Sequence, residues 1–186
     1  MRTSERTIPS QAVKGNIPIV AGSARVFGNE LKNLYWLENH MQVLLPMLQE
    51  TASSEELSEM LLDRIEVASA HAKKCVEIFR TIEMKPEPRK SQGIEKTLIE
   101  AGSVKNIPER NKEMDERIVS WLDQVDRYSL LICSRLFGLS RSLANPLVTS
   151  LVAELLQEKE EGHKILSALG PEPDEDDDEY DNFSSE

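Results

Sequence analysis

Apolar residues recur along this chain at alternating steps of three and four, the spacing that lays side chains along one stripe of an α-helix. From Leu31 the stripe runs through Leu34, Glu38, Met41, Leu45 and Leu48. It predicts a helix from about Phe27 to Glu50, with Pro46 kinking its last turn or ending it early. A second stripe holds Leu57, Leu61, Arg64/Ile65, Ala68, His71/Ala72, Cys75, Phe79 and Ile82. Its helix starts at Ser53-Ser54-Glu55-Glu56, where hydroxyls cap the first turn and acids suit the helix dipole. After the proline-rich KPEPRKSQG a short helix is expected near Gly93–Ala101. A third long helix, about Glu113–Leu143, carries Ile118, Leu122, Val125, Ser129, Ile132, Leu136, Leu139 and Leu143. Pro146 suits the first turn of a fourth, whose stripe is read as Leu151, Leu155, Glu158, Gly162, Ile165 and Leu169.

No strand period competes. The expectation is an all-α, ferritin-like four-helix bundle with a short extra helix in the long link between helices 2 and 3. That link is long enough to cross the bundle, although a simple up-down arrangement has the same periodicity. Residues 1–26 read as a flexible N-terminal arm, 27–169 as the bundle and 170–186 as an acidic disordered tail.

Charge sharpens this division. Of the chain's 33 acids, nine fall in residues 171–186, which hold no base, so the net charge of −11 belongs mostly to the tail. The remainder is nearly neutral and has no dense basic patch, which argues against a nucleic-acid partner. Apolar runs fall far short of the ~20 residues of a membrane helix. IPIVAG is too short and proline-broken to act as a secretory core, so a cytoplasmic location is expected. Cys75 and Cys133 fit a reducing compartment as buried apolar residues.

Glu38 is the informative exception. It shares its stripe with five apolar residues, and a carboxylate facing a core requires a proton, a cation or a metal to compensate it. Glu158 sits on the fourth stripe, Ser129 on the third, and His71 at the edge of the second. Inward carboxylates and histidines on facing helices are what bundle metal sites are made of. Glu38, His71 and Glu158 would supply part of such a site, with Asp126 or Glu161 as neighbouring acids. His40 and His163 fall off the stripes and are expected at the surface. There is no glycine-rich phosphate loop, CxxC or nucleophile elbow.

The segment FGNELKNLYWLENHMQVLLPML resembles the first helix of the YciE/YciF-type ferritin-like stress proteins. ELSEMLLDRIEVASAHAKKCVEIFRTIEMKP, DERIVSWLDQVDRYSLLICSRL and LLQEKEEGHKILSAL are similar to that family's other helices, in the same order. The resemblance implies a ferritin-like fold, often dimeric, associated with stress responses, with an inter-helix metal site of iron or manganese. It places Glu38 and Glu158 at family glutamates and His71 at a Gln or His position. It also implies ligands where this chain has Val67, Arg64, Arg127 and Ser129. None of these four supplies a strong metal-ligating group; Arg has no lone pair and Val no polar atom.

The expected function is therefore a ferritin-like bundle with a degenerate metal centre and a structural or interaction role. In it Arg64, or secondly Arg127, would replace the metal's charge. The alternatives are a di-iron or manganese protein using Glu38, His71 and Glu158, and a module whose acidic tail engages a basic protein. A homodimer is expected through an apolar patch around Trp36, Trp121, Phe137 and Leu139. No reaction can be assigned from the sequence.

Overall fold

The computed structural model describes residues 17–103 and 110–169. Among them are five α-helices: α1 (Ile17–Thr51), α2 (Glu55–Thr81), α3 (Gln92–Gly102), α4 (Lys112–Ser140) and α5 (Pro146–Ser167). A 3₁₀ turn, Arg141–Leu143, joins α4 to α5. The acidic tail and residues 1–16 of the expected arm lie outside the described residues.

Local sequence explains the boundaries. Ser54 caps α2 by accepting from the Leu57 N–H at 3.2 Å. Asn111 does the same for Met114 at 2.9 Å, and Asn145 for Val148 at 3.3 Å, one residue before Pro146 opens α5. Two expectations need correction. α1 begins at Ile17, ten residues inside the segment read as an arm, because Pro18 falls in a first turn that tolerates it. Nor does Pro46 end α1, which continues to Thr51.

The packing fixes the topology. α1 packs on α2 and α4, while α5 packs on α4 and α2. Around the bundle the order is thus α1, α2, α5, α4, with α1/α5 and α2/α4 as diagonals. Every adjacent pair is antiparallel. Gln49 near the end of α1 meets Ser58 near the start of α2. Asp115 at the start of α4 accepts from the Ser53 and Ser54 backbone N–H groups beyond the end of α1. On α2 and α5, Arg64 reaches Gly162 while Lys74 reaches Glu154. The diagonal helices α2 and α4 therefore run parallel, and the link between them must travel the length of the bundle, as in ferritin-like topology. α3 lies on that path, burying Ile94, Leu98 and Ala101 against α1 and α4. The link is tied down where the Arg89 N–H donates to the Lys32 carbonyl at 3.1 Å and Lys32 pairs with Glu87.

The core is in two pieces. One cluster contains Leu37, Leu45, Leu61, Ala68, Ile118, Val125 and Leu166, the other Phe27, Leu34, Cys75, Phe79, Ile132, Val152 and Leu155. Trp121, 7% exposed, belongs to the first cluster, so it is not part of the surface patch expected for a dimer. On α2, α4 and α5 the two sets are separated by polar positions, His71, Asp126 with Ser129, and Lys159; on α1 Glu38 lies next to the change from Leu34 to Leu37. The aromatic edge-to-face pair of Phe79 and Tyr35, 5.8 Å between centroids, pins α2 to α1 beside that layer. Replacing Phe79, 0% exposed, by Ala should cost about 3–5 kcal/mol in urea denaturation, whereas Val43→Ala at a 66% exposed site should change stability by less than ~0.5 kcal/mol.

Candidate functional site

Glu38 is 0% exposed, in the middle of α1 with leucines on its stripe above and below. Lys159 of α5 compensates it, with Nζ 2.6 Å from Glu38 Oε1. This pair runs along one diagonal of the bundle. A second runs along the other: Arg64 of α2 donates from Nη1 and Nη2 to the two carboxylate oxygens of Asp126 on α4, at 2.9 and 2.7 Å. The same Nη2 donates to the Gly162 carbonyl of α5 at 2.8 Å. Both members of this pair are largely buried, and the two-pronged geometry is the strong form of the Arg–carboxylate contact. Ser129 turns back on its own helix, its hydroxyl donating to the Asp126 carbonyl at 2.9 Å.

His71, 1% exposed, joins the interior to the rim. Its Nε2 is 2.9 Å from Glu158 Oε2, and its Nδ1 faces Glu38 Oε2 at 3.7 Å, too far for a hydrogen bond. The Glu158 side chain is 43% exposed and accepts from Lys74 at 2.6 Å. Sequence-read Glu38 and His71 thus meet in a dry interior, while Glu158 reaches His71 from the rim.

Two expectations fail. Arg64 pairs with Asp126, not with Glu38 or Glu158. Arg127 is at the surface, its side chain 71% exposed and bonded to Asp123 one turn back on α4. The compensating cation is Lys159, which the sequence reading passed over. The cause is a one-residue phase error on α5. Ile165, assigned to its stripe, is 59% exposed, while its neighbour Leu166 is 1% exposed. The inward positions are Val152, Leu155, Lys159, Gly162 and Leu166. Val67 likewise points outward, 42% exposed, and Ala68 holds the inward position. His163 is half-buried, with Nδ1 3.8 Å from both Asp123 and Asp126; His40 is half-buried against Trp36.

Burial alone would push the Glu38 carboxyl up, but the group is held below its usual value, with the Lys159 charge as the largest opposing cause. Burial would lower Lys159, but Glu38 holds it above its own. Cys75 and Cys133 are buried free thiols. Burial raises the Cys133 thiol to about 12, so it stays protonated and carries no nucleophilic role at neutral pH.

The family model described as "Domain of unknown function (DUF892)" matches residues 23–175. The chain belongs to this family. Solved structures with the same fold as this DUF892 protein include YcfI of Rhodopseudomonas palustris, proposed to be a structural protein. It has 17% identity and a TM-score of 0.74 over 88% of this chain and 100% of that one. The E. coli stress protein YciF has 22% identity and a TM-score of 0.73 over 79% and 93%. No curated protein matches. The DUF892 chain is thus a divergent YciF-type helical bundle.

Ferritin-like two-metal centres take a Glu from each of two helices and a Glu-x-x-His pair from each of the others. In the DUF892 chain α1 retains Glu38 and α4 has Ser129. On α2 the i, i+3 pair is Ala68 and His71; on α5 it is Lys159 and Gly162. Glu38 and His71 are the only donors left, and an ammonium stands where a carboxylate is required. Among the described residues no three His, Cys, Asp or Glu side chains form a group able to hold a metal ion. The residues present do not fit the centre.

Removing one member of a buried pair strands the other. Lys159→Met should destabilise by about 3–5 kcal/mol in urea denaturation. Glu38→Leu should cost less, because the Lys159 side chain, 14% exposed, can extend to water. The double variant should recover most of the loss, and a wild-type midpoint for Lys159→Met would rule the pairing out. The Glu38 contribution is present above the ordinary carboxyl value of 4.5 and is lost as pH falls through its lowered folded value. The double variant should therefore show a shallower loss of stability on acidification, measured by urea midpoints across that range.

Proposed function

We propose that this protein is a structural or interaction member of the YciF type in which an internal ion pair has taken the place of the metal centre. The observation that carries the reading is Lys159 Nζ at 2.6 Å from the fully buried Glu38 carboxylate. A divalent ion at Glu38 would sit beside that ammonium, against its charge, and would find His71 as its nearest further donor. The second diagonal supports the same reading, since Asp126, the other inward carboxylate, is held by both prongs of Arg64. With Glu38 and Asp126 each compensated by a cation of the chain itself, the polar interior acts to fix the bundle. The likeness to a protein named for stress and to one proposed as structural is consistent with a role in stress physiology carried by the surface of a rigid bundle.

Elemental analysis of protein purified without chelator tests this. The expected result is substoichiometric iron, manganese and zinc, unchanged in Glu38→Ala, and no shift in melting temperature on adding these ions. Stoichiometric metal that disappears in Glu38→Ala would overturn the proposal in favour of a metal-binding role for Glu38, His71 and Glu158.

A further inference from the structure

A cavity of about 400 Å³ lies beside the charged layer, lined from α1, α2, α4 and α5. Its size is at the small end of the ~300–1,000 Å³ typical of small-molecule pockets. Two features of the sequence make the space. Ala68 and Gly162 stand at inward positions where the two-metal template has Glu and His. α2 and α5 also pack less closely than the other neighbouring long helices, and a Cβ added at Gly162 would meet nothing nearer than Arg64 Nη2 at 3.9 Å. The body of the cavity is apolar, walled by Leu37, Met41, Leu45, Met60, Ala68 and Val125. Glu38, His71, Lys159 and the Arg64–Asp126 pair line its polar part, with Glu158 at the rim.

The polar part has an unmet bonding need. Glu38 Oε2 and His71 Nδ1 are both buried and without a hydrogen-bond partner. His71 Nε2 is 2.9 Å from a Glu158 oxygen, and an ionised carboxylate only accepts, so the ring hydrogen is assigned to Nε2. We take the ring to carry that hydrogen alone, which makes Nδ1 an acceptor facing another acceptor, Glu38 Oε2, across 3.7 Å. Two buried acceptors with a cavity beside them call for a donor with at least two hydrogens.

Charge selects the kind of donor. The nearby cations are engaged: Lys159 with Glu38, Arg64 with Asp126, Lys74 with Glu154 and Glu158. Asp63 and Glu161 also line the cavity and have no ion-pair partner among the described residues. The local balance is acidic, which favours an incoming cation and opposes an anion.

We propose that this cavity binds a small amphiphilic primary amine, its ammonium donating to Glu38 Oε2 and His71 Nδ1 and its hydrocarbon body lying along Leu37, Met41, Leu45 and Met60. The proposal rests on the reading of this layer as held without a metal, since a metal at Glu38 and His71 would compete for the same groups; the elemental measurement above tests that reading separately. The rim acids offset the proximity of the Lys159 charge, and that ammonium remains on the other carboxylate oxygen.

Titration of the full chain with hexylamine, hexanol and hexanoate, followed by calorimetry and by NMR shifts of cavity methyl groups, tests the proposal. Hexylamine should bind saturably at one per chain, hexanol more weakly, and hexanoate more weakly still. Glu38→Gln should weaken hexylamine about tenfold, the loss of one charged hydrogen bond, and leave hexanol nearly unchanged. Ala68→Leu, which narrows the cavity without touching a charge, should abolish binding of all three while the far-UV spectrum stays helical. Hexanoate or hexanol binding as tightly as hexylamine, full amine affinity in folded Ala68→Leu, or no saturable amine binding would overturn it. So would ¹⁵N shifts of His71 in the free protein with hydrogens on both ring nitrogens, since Nδ1 would then need no donor.

Discussion

The structure is organised around the cost of placing one carboxylate where no water reaches it. Glu38 lies at the level where the core divides in two, and the residues at that level on the other long helices are understood through it. The desolvation of a buried ion is several kcal/mol and is offset only if a partner of opposite charge is close and held. Lys159 meets that requirement from the helix diagonally opposite. Because α1 and α5 do not pack directly, the contact needs a long side chain, and Lys supplies a flexible four-carbon stem that can reach across apolar surroundings.

The two diagonals differ in kind. Glu38–Lys159 is a compact ion pair with poor hydrogen-bond alignment: Nζ is close, yet Oε1 lacks a well-directed bond. Arg64–Asp126 is planar, two-pronged and extended by a bond to the Gly162 carbonyl. Together they join α1 to α5 and α2 to α4, the helix pairs that ordinary packing leaves apart. Such a layer adds little net stability over an apolar one of the same shape, but it penalises sliding. Moving any long helix by a turn would set a charge against leucines, so the layer specifies register in a bundle whose two hydrophobic clusters could otherwise tolerate a shift.

Much of this was legible in the chain. The six stripe positions of α1, Leu31 through Leu48, are all buried, and the inward turn of Glu38 follows directly from them. Caps at Ser54 and Asn145 placed two helix starts, and the long link anticipated the crossover, although only the packing order distinguishes it from an up-down bundle. The chemistry of α5 was harder to read. After Leu155 both i+3 and i+4 continue a helical stripe, so Glu158 and Lys159 are equally consistent with the period. A lysine is rarely placed in a core unless paired, and its partner lies 121 residues away on a helix that is not a neighbour. Periodicity reports which face of one helix is apolar; it holds no information about which face of another helix stands opposite. Arg64 and Asp126 were both legible near the interior, but not as partners: Asp126 is one step off the α4 stripe through Val125 and Ser129.

On the proposed reading, an internal pair in place of metal ligands changes more than charge. A metal centre fills its layer with several converging side chains, and its binding energy becomes folding energy. Here two ion pairs already on the chain hold the layer, so its integrity depends on pH. The replacement is also smaller than what the template would place there. Ala68 and Gly162 contribute almost no volume, and Lys159 and Arg64 line the space they leave without filling it. In a close-packed interior such space is not neutral: apolar walls lose contacts and buried acceptors lose partners. The cavity and the unpaired atoms of Glu38 and His71 are thus two consequences of one substitution pattern. On the proposed reading, a layer without a full metal-ligand set leaves a partly charged pocket whose chemistry suits an amine.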